Sequence, residues 1–259
     1  MTRQWVRAII ENDAAVRALT RGSRISGAGF TERLCQTRHS SVESAHVVRQ
    51  VMPMSNRRNA DHYTRRAKEQ GFAARSVFKL QELDKKHQLF KRGQRVLDLG
   101  CAPGSWLKFM AQRVGPKGRA VGIDRFEVSP MAPHVHTIAG DIYETDPQIF
   151  FQLAQGHFDV ITSDMAPDTC GNRFVDHVRS IELCQAASGV AEQLLIEGGA
   201  FVCKVFEGED LQSFVNDLKG RYKTVKRFKP KSTRNESVEL FLTALGKKNP
   251  PHTLTDEAR

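Results

Sequence analysis

From about residue 59 onward, the hydrophobic positions of the chain alternate between two spacings. Short apolar runs predict strands, and apolar residues three and four positions apart predict helices. The predicted strands cover residues 95–100, 119–124, 135–140, 158–164, 199–206, 224–229 and 237–245, and the predicted helices cover 60–70, 75–88, 105–114, 145–155, 175–196 and 209–219. This alternation predicts an α/β fold, with a seven-stranded, mostly parallel sheet that is covered by helices on both faces. The last two strands follow each other without a helix, so we expect one of them to run antiparallel.

The use of basic residues changes near Met52. Residues 1–51 contain eight arginines and no lysine, whereas both residue types occur in the rest of the chain. We interpret residues 1–51 as a poorly ordered N-terminal extension, 52–246 as the folded domain and 247–259 as a C-terminal tail. An Arg-rich, Ser-containing segment is also typical of a mitochondrial presequence, although its four acidic residues weaken that alternative. A start codon assigned upstream of Met52 or Met54 is a third explanation.

Composition narrows the class of protein. A chain of 259 residues with 40% hydrophobic content can form one α/β domain with a substantial core. The net charge of +10 favours a polyanionic partner, and nucleic acid is the leading candidate. The five cysteines are scattered and form no C-x-x-C pair, which argues against a disulfide framework and against a metal site. We therefore expect a reducing compartment, the cytoplasm, and no membrane span, since no apolar run approaches about 20 residues.

The segment DLGCAPGSW, from Asp98 to Trp106, joins an apolar strand to a helical pattern through a Gly/Pro-rich turn. In open α/β sheets such a turn exposes main-chain N–H groups at a helix N-terminus to a nucleotide-like ligand. Gly100 and Gly104 do not form the G-x-G-x-x-G pattern of a dinucleotide site, which argues against a nicotinamide-dependent oxidoreductase. The remaining pattern suits a ligand without phosphate, such as S-adenosylmethionine.

Aspartates stand at the ends of four predicted strands, namely Asp98, Asp124, Asp141 and Asp164. Ligands of such sheets bind beyond the carboxyl ends of the strands, so we expect these side chains at the site. Asp124 has the spacing from the glycine turn that suits an acceptor of ribose hydroxyls, and Asp141 could accept from an adenine amino group. The alternative is that these aspartates cap the helices that follow them.

Several motifs together resemble the FtsJ/RrmJ (RlmE-type) family of RNA ribose 2′-O-methyltransferases over residues 55–246. They are DLGCAPGSW, SDMAP (163–167), CKVF (203–206), RSVFKL (75–80) and SVELF (237–241). The resemblance implies a Rossmann-like, class I S-adenosylmethionine-dependent methyltransferase fold. It also implies a catalytic tetrad and a set of methyl-donor contacts. The tetrad positions are Lys79, Asp164, Lys204 and Glu239, and the donor contacts are Gly104, Trp106, Asp124, Asp141 and Asp164.

The chemistry of ribose methylation gives these residue types a role. The enzyme must align a 2′-hydroxyl with an activated methyl group and remove or steer a proton. Lys204 lies within an apolar run, and burial lowers the pKa of a lysine, so Lys204 is our candidate base. Asp164 would orient the amine, and Lys79 and Glu239 would hold the hydroxyl. The alternatives are a strand lysine that reaches solvent and a surface pair between Lys79 and Glu82.

Basic residues cluster in two segments that flank tetrad members. Residues 219–234 hold eight basic residues and no acid, with Tyr222 and Phe228 between them, and a second cluster spans residues 57–68. We predict that these two segments form a groove that binds an RNA backbone and leads it to the site. The alternative is that they form a solvated surface without a ligand. By resemblance, the RNA lies in the large ribosomal subunit and the target is a uridine of 23S-type RNA; no obligate protein partner is evident.

Three other functions stay open at this point. One is a tRNA 2′-O-methyltransferase of the same family. Another is a non-catalytic RNA-binding protein of ribosome assembly, although the chain has lost no tetrad residue. A methyltransferase acting on a small molecule or protein would share the donor site, but it has no need for the tetrad or for the basic segments.

Overall fold

The structure is a computed structural model that describes residues 54–233 and 237–249, with side chains described from residue 62 onward. The predicted extension over residues 1–51 lies outside the described residues, as do residues 250–259 of the predicted tail. The side chains of Arg57 and Arg58 and the whole of Arg234, which belong to the two basic segments, also lie outside them.

Helices and strands alternate over the described residues, as the hydrophobic spacing predicts. The helices are α1 (Met54–Glu69), α2 (Val77–His87), α3 (Ser105–Val114), α4 (Pro147–Ala154), α5 (Arg173–Leu194) and α6 (Leu211–Arg221). The strands are β1 (Arg95–Leu99), β2 (Arg119–Asp124), β3 (Val135–Ala139), β4 (Phe158–Ser163), β5 (Leu195–Phe206), β6 (Tyr222–Phe228) and β7 (Glu239–Lys247).

The seven strands form one sheet in the order β3-β2-β1-β4-β5-β7-β6. The first five strands in this order are parallel, and β7 runs antiparallel to both β5 and β6. The predicted fold class and the predicted antiparallel strand are thus confirmed. After β1 the chain builds the sheet outward through β2 and β3, then returns to the other side of β1 as β4. This change of direction creates a crevice at the carboxyl ends of β1 and β4, the place where such sheets bind ligands.

Helices cover both faces of the sheet and bury two separate cores. One core packs α4, α5 and α6 against the sheet through residues such as Phe150, Ile181 and Phe214. The other packs α2 and α3 against the opposite face through residues such as Leu80 and Met110. The two-sided burial explains why successive residues of β1 and β4 are buried, where a strand with one solvated face would be buried at alternate positions only.

Several predicted boundaries differ from the structure, the largest difference being the start of α1 at Met54 instead of residue 60, and two of the differences concern strands next to the site. β5 begins at Leu195, four residues earlier than predicted, because Leu195 already pairs with Phe158 of β4. An apolar run at a helix C-terminus fits either element, so spacing alone could not place this boundary. β7 extends to Lys247, and the Lys247 ammonium donates to the carbonyls of Ala191 (3.3 Å) and Leu195 (2.8 Å) near the end of α5. The predicted tail therefore begins one residue too early.

Three further observations concern the described residues only. No helix among them is long and apolar enough to cross a membrane. The four cysteines in this part of the chain form no disulfide. Within the same ranges, no group of three or more potential metal-ligating side chains is close enough to hold an ion.

Candidate active site

A cavity of about 430 Å³ opens at the crevice beyond the carboxyl ends of the strands. Three of the predicted donor-site residues line it, namely Asp124, Asp141 and Asp164. Two exposed aromatic side chains, Phe126 and Tyr143, form part of the same wall. The cavity therefore combines carboxylate acceptors with flat apolar surfaces, which suits a nucleoside.

The strand-end carboxylates hold the loops around this cavity. Asp124 accepts from the main-chain N–H groups of Ala102 (2.9 Å) and Phe126 (3.0 Å). Asp141 accepts from the N–H of Tyr143 at 2.9 Å. The N-cap residues of α3 to α6 are Gly104, Asp146, Asn172 and Asp210. The alternative that the strand-end aspartates cap helices is therefore wrong for these four helices.

Two glycines let the loops at the crevice approach each other closely. Gly100 has φ +80°, and a Cβ there would lie 2.6 Å from the Met165 side chain. Gly104 has φ +100°, and a Cβ there would lie 2.5 Å from Met131 and 2.9 Å from Val128. Both positions need a residue without a side chain. The turn after β1 is consequently in direct contact with the loops that follow β2 and β4.

Gly104 and Trp106 are not walls of this cavity, in contrast to the other predicted donor residues. The indole of Trp106 is 3% exposed, and its Nε1 donates to the carbonyl of Ser76 at 2.9 Å. Its ring centroid lies 5.6 Å from that of Phe241. Motif spacing places Trp106 in the first turn of α3 but does not determine which face of the helix it occupies. The side chain joins α3 to the start of α2 and to β7.

Asp98 lies beneath the turn and is completely buried. Burial raises the pKa of Asp98 well above its ordinary value, and the nearby carboxylates of Asp164 and Asp124 raise this pKa further. The Thr162 hydroxyl has the opposite effect on the pKa, because it donates a hydrogen bond to Asp98 Oδ1 at 2.9 Å. A protein of net charge +10 thus concentrates carboxyl groups at this one crevice. Such a crevice favours a ligand that carries positive charge.

The predicted tetrad forms two ion pairs at one corner of the crevice. The Lys204 ammonium lies 3.0 Å from Asp164 Oδ1 and also donates to the Asp164 carbonyl. The Lys79 ammonium donates to Glu239 Oε1. Side-chain exposure is 8% for Lys204, 17% for Asp164, 16% for Lys79 and 15% for Glu239. Lys204 does not reach solvent as an ordinary strand lysine would, and Lys79 pairs with Glu239 instead of Glu82.

Pairing between β5 and β7 brings the two ion pairs together. Lys204 stands opposite Phe241, and Phe206 stands opposite Glu239. The Lys79 ammonium lies 5.8 Å from the ring centroid of Phe241. Phe241, which is completely buried, is therefore a neighbour of both ion pairs: its ring lies near the Lys79 ammonium, and its main chain stands opposite Lys204.

A second cavity, of about 490 Å³, lies on the Glu239 side of the ion pairs. Phe206, Ser237 and Arg173 also line it. Asp164 lines the first cavity and Glu239 lines the second, so each ion pair contributes one carboxylate to a different cavity. The arrangement can hold two different molecules with charged groups at their junction.

The loop between Asp164 and α5 is held by side chains of the helix that follows it. Asp176 accepts from the N–H groups of Cys170 (2.8 Å) and Gly171 (3.2 Å). Arg179 donates to the Asp168 carbonyl at 3.0 Å. The bond from the Cys170 N–H is the largest cause that lowers the pKa of Asp176 below its ordinary value. The Asp176 carboxylate therefore stabilises the loop in its charged form.

Replacing Asp176 by asparagine is expected to lower the thermal midpoint at pH 7. A carboxyl with a lowered pKa contributes stability above its unfolded pKa, near 3.8, and loses it as the pH falls through the folded value. The difference from the wild type should therefore shrink as the pH falls below about 4. Asp168→Asn, in the same loop, is the control, and an equal effect of both variants at every pH would contradict the role of Asp176.

The basic segments differ in part from the prediction. Tyr222 is 2% exposed and stacks on Phe201 with a centroid distance of 6.4 Å, so it is not available to a ligand. Phe228 lies under the Lys86 ammonium, 4.4 Å from its ring centroid. Glu82 fixes the loop after β6, since its carboxylate accepts from the N–H groups of residues 231 and 232 at 2.7 and 3.0 Å. The basic loop is thereby attached to α2, the helix that carries Lys79.

The sequence did not identify several residues of the site. Phe126 and Tyr143 lie in loops of irregular conformation, where no periodicity marks them. Arg179 and Asp176 lie on α5, where charged side chains at helical spacing are usually solvated. The one available signal was the position of Phe126 and Tyr143, each two residues after a strand-end aspartate.

The sheet order with its reversal at β1, the antiparallel seventh strand and the crevice define a Rossmann-like methyltransferase fold. The chain belongs to the FtsJ-like methyltransferase family, whose sequence pattern matches residues 72–247. The resemblance drawn from the motifs is thus confirmed, and the protein is a methyltransferase. Methyltransferases of this kind use S-adenosylmethionine.

Similar proteins carry names that agree with this family. A protein of Desulfosudis oleivorans named ribosomal RNA large subunit methyltransferase E is 47% identical over 201 residues, which are 77% of this chain and 97% of the relative. A Bdellovibrio bacteriovorus protein of the same name is 44% identical and covers 73% of this chain and 97% of its own length. A crystal structure of a ribosomal RNA methyltransferase from Plasmodium falciparum matches with a TM-score of 0.60 at 30% identity, over 68% of this chain and 98% of the other.

Proposed function

We propose that the protein transfers the methyl group of S-adenosylmethionine to the 2′-hydroxyl of a ribose in RNA, and that the target is a uridine of the large-subunit, 23S-type ribosomal RNA. The observation that carries the proposal is the pair of buried ion pairs between two cavities, Lys204 with Asp164 and Lys79 with Glu239. One cavity is acidic and nucleoside-sized, and the protein around it is strongly basic.

The first cavity fits the methyl donor. S-adenosylmethionine, when bound, supplies an activated methyl group on a positively charged sulfur. Asp124 would accept from the ribose hydroxyls, Asp141 from the adenine amino group, and Asp164 would lie nearest the charged sulfur. Gly104 and Trp106 would contribute by fixing the turn after β1, because neither lines the cavity.

The second cavity suits the acceptor ribose, since Glu239 lines it, whereas Asp164 of the other ion pair lines the donor cavity. Lys79 and Glu239 would hold the 2′-hydroxyl in line with the methyl group. Once its ammonium has given up a proton to solvent, Lys204 would take the hydroxyl proton as a neutral amine, and Asp164, 3.0 Å away, would hold that amine in place and stabilise the ammonium that results. Alignment of the hydroxyl with the methyl group would supply much of the rate.

RNA is the acceptor that this chemistry and charge favour. The reaction requires a 2′-hydroxyl, which DNA lacks. Lys229 and Lys231 are exposed on the loop that Glu82 attaches to α2, so positive charge lies beside the helix that carries Lys79. Phosphates that follow this surface would lead a ribose towards the second cavity. The names of the relatives support ribosomal RNA of the large subunit as the substrate, and we infer that the protein acts on it within the large ribosomal subunit.

Nucleoside mass spectrometry tests the proposal. Large ribosomal subunits and tRNA from cells that lack the protein would be incubated with purified protein and S-adenosylmethionine. We expect 2′-O-methyluridine to appear in the subunits and no change in the tRNA. Methylation of tRNA alone would contradict the ribosomal substrate, and methylation of neither would contradict the RNA reaction. The non-catalytic alternative predicts that last result.

We also propose that residues 1–51 are an extension to a domain that begins at residue 52, and that the protein works in the cytoplasm. The relatives support the first point, because they match 73–77% of this chain over nearly their whole length. A chain that starts at Met52 should keep its thermal midpoint and donor affinity within error. A clear loss of stability would contradict this prediction, and import of a reporter fused to residues 1–51 into mitochondria would favour the presequence.

A further inference from the structure

The end of β5 extends beyond its parallel neighbour. Pairing between β4 and β5 ends at Ser163 and Cys203, whereas β5 continues to Phe206. Lys204 lies in this extension, which pairs with β7 on its other edge. Beyond the end of β4, the main-chain N–H and C=O groups on that edge of β5 need other partners, because a buried unpaired N–H or C=O group costs free energy.

Side chains of α5 take the place of β4 along this extension. The Cys184 thiol donates to the Lys204 carbonyl at 3.0 Å. The Ser180 hydroxyl accepts from the Phe206 N–H at 3.0 Å, and His177 Nδ1 lies 3.0 Å from the Phe206 carbonyl. The three α5 residues stand at positions i, i+3 and i+7, so they share one face of the helix. All three are buried, with at most 3% exposure.

His177 is fixed from two sides. Its Nε2 accepts from the Asp210 N–H at 3.1 Å, so both ring nitrogens have a main-chain partner. A Cβ at Gly208 would lie 2.3 Å from the ring, which means that the loop after β5 packs directly on the imidazole. The imidazole therefore joins the end of β5 to the start of α6 through one main-chain contact at each ring nitrogen.

We propose that His177, Ser180 and Cys184 are positioning residues for methyl transfer, which hold the extension of β5 so that the Lys204 ammonium stays against Asp164. The same extension sets Glu239, because Phe206 is its partner across β5 and β7. One helix face thus places members of both ion pairs. The inference rests on the proposed function, since it assigns these residues to the reaction at that site.

Another serine of the same helix provides a matched control. Ser188 is also buried, with 2% exposure, but its hydroxyl has no hydrogen-bond partner and makes no bond to β5. Ser180→Ala and Ser188→Ala remove the same atom from the same helix. A merely structural role of Ser180 would give the two variants similar activity per folded molecule.

The test measures single-turnover methylation of ribosomal subunits at saturating S-adenosylmethionine, with donor affinity and thermal midpoint measured beside it. Ser180→Ala is expected to lose about tenfold in rate, because small misplacement of a reacting group has effects of this size or larger. Donor affinity should stay within about twofold. Ser188→Ala should methylate at the wild-type rate.

A second pair of variants separates hydrogen bonding from packing. Cys184→Ala removes the donor to the Lys204 carbonyl, and Cys184→Ser retains one. The serine variant should therefore recover most of the rate that the alanine variant loses. Equal rates for Ser180→Ala and Ser188→Ala, together with no recovery in Cys184→Ser, would overturn the positioning role while the wild type still methylates RNA. An inactive wild type would instead overturn the proposed function and this inference with it.

Discussion

Replacing Lys204 by alanine is expected to lower the single-turnover rate of methyl transfer by roughly 10²-fold or more, the size of effect that a positioned acid or base supplies. The side chain is 8% exposed and lies 3.0 Å from Asp164, which lines the donor cavity. It is not a wall of that cavity. Donor affinity should therefore change little, and binding and chemistry should separate in the same variant.

Lys204→Arg distinguishes a base from a positioning cation. A guanidinium keeps the positive charge beside Asp164 but does not deprotonate in a protein, so this variant should be nearly as inactive as alanine. The control is Lys117→Ala, which removes an exposed lysine outside the tetrad and outside both basic segments and should leave the single-turnover rate at saturating subunits near that of the wild type. Retention of most activity by Lys204→Arg would contradict the role of base and leave alignment as the main source of rate.

The positions that sequence predicted best are those fixed by strand periodicity. Asp124, Asp141 and Asp164 were placed at one crevice because parallel strands end on the same edge, and the structure puts all three in one cavity. Lys204 was predicted to be buried from its apolar neighbours, and it is. In these cases one local rule, a strand with a known direction, was enough to place the side chain.

Other features depend on contacts between distant segments, which spacing does not report. Trp106 occupies the predicted turn of α3, but its indole faces Ser76 and Phe241 instead of the donor cavity. Tyr222 stands among basic residues in sequence and stacks in the core in the structure. Ser180 is polar on a helix, and only the end of β4 at Ser163 explains its partner on β5. The surroundings of Trp106, Tyr222 and Ser180 are each determined by the order of the strands in the sheet, which the spacing of residues does not reveal.

The charge distribution links the two halves of the reaction. A polyanionic acceptor requires a basic protein surface, whereas a sulfonium donor is favoured by carboxylates. The two kinds of charge lie in different places. Lysines such as those at positions 229 and 231 lie on the loop attached to α2, and aspartates lie at the strand ends. The buried ion pairs of the tetrad lie at the boundary, where neither sign of charge is in excess.

The second large effect is expected on donor affinity, when the carboxylate at the end of β2 is removed. Asp124→Ala is expected to weaken donor binding by about 1.5–3 kcal/mol for each charge-assisted hydrogen bond lost, which is roughly 10- to 100-fold per bond. The variant also leaves the N–H groups of Ala102 and Phe126 without their acceptor, so both loops at the cavity lose an anchor. Calorimetry with S-adenosylhomocysteine measures the affinity directly.

A matched variant separates loss of the donor contact from general loss of stability. Asp159 also accepts from a main-chain N–H, that of Arg95 at 2.8 Å, but it does so at the opposite edge of the sheet. Asp159→Ala should therefore lower stability without changing donor affinity, whereas Asp124→Ala should lower donor affinity in molecules that remain folded. If Asp124→Ala bound S-adenosylhomocysteine as tightly as Asp159→Ala does, the ribose would have to lie elsewhere. The placement of the donor between Asp124, Asp141 and Asp164 would then be wrong.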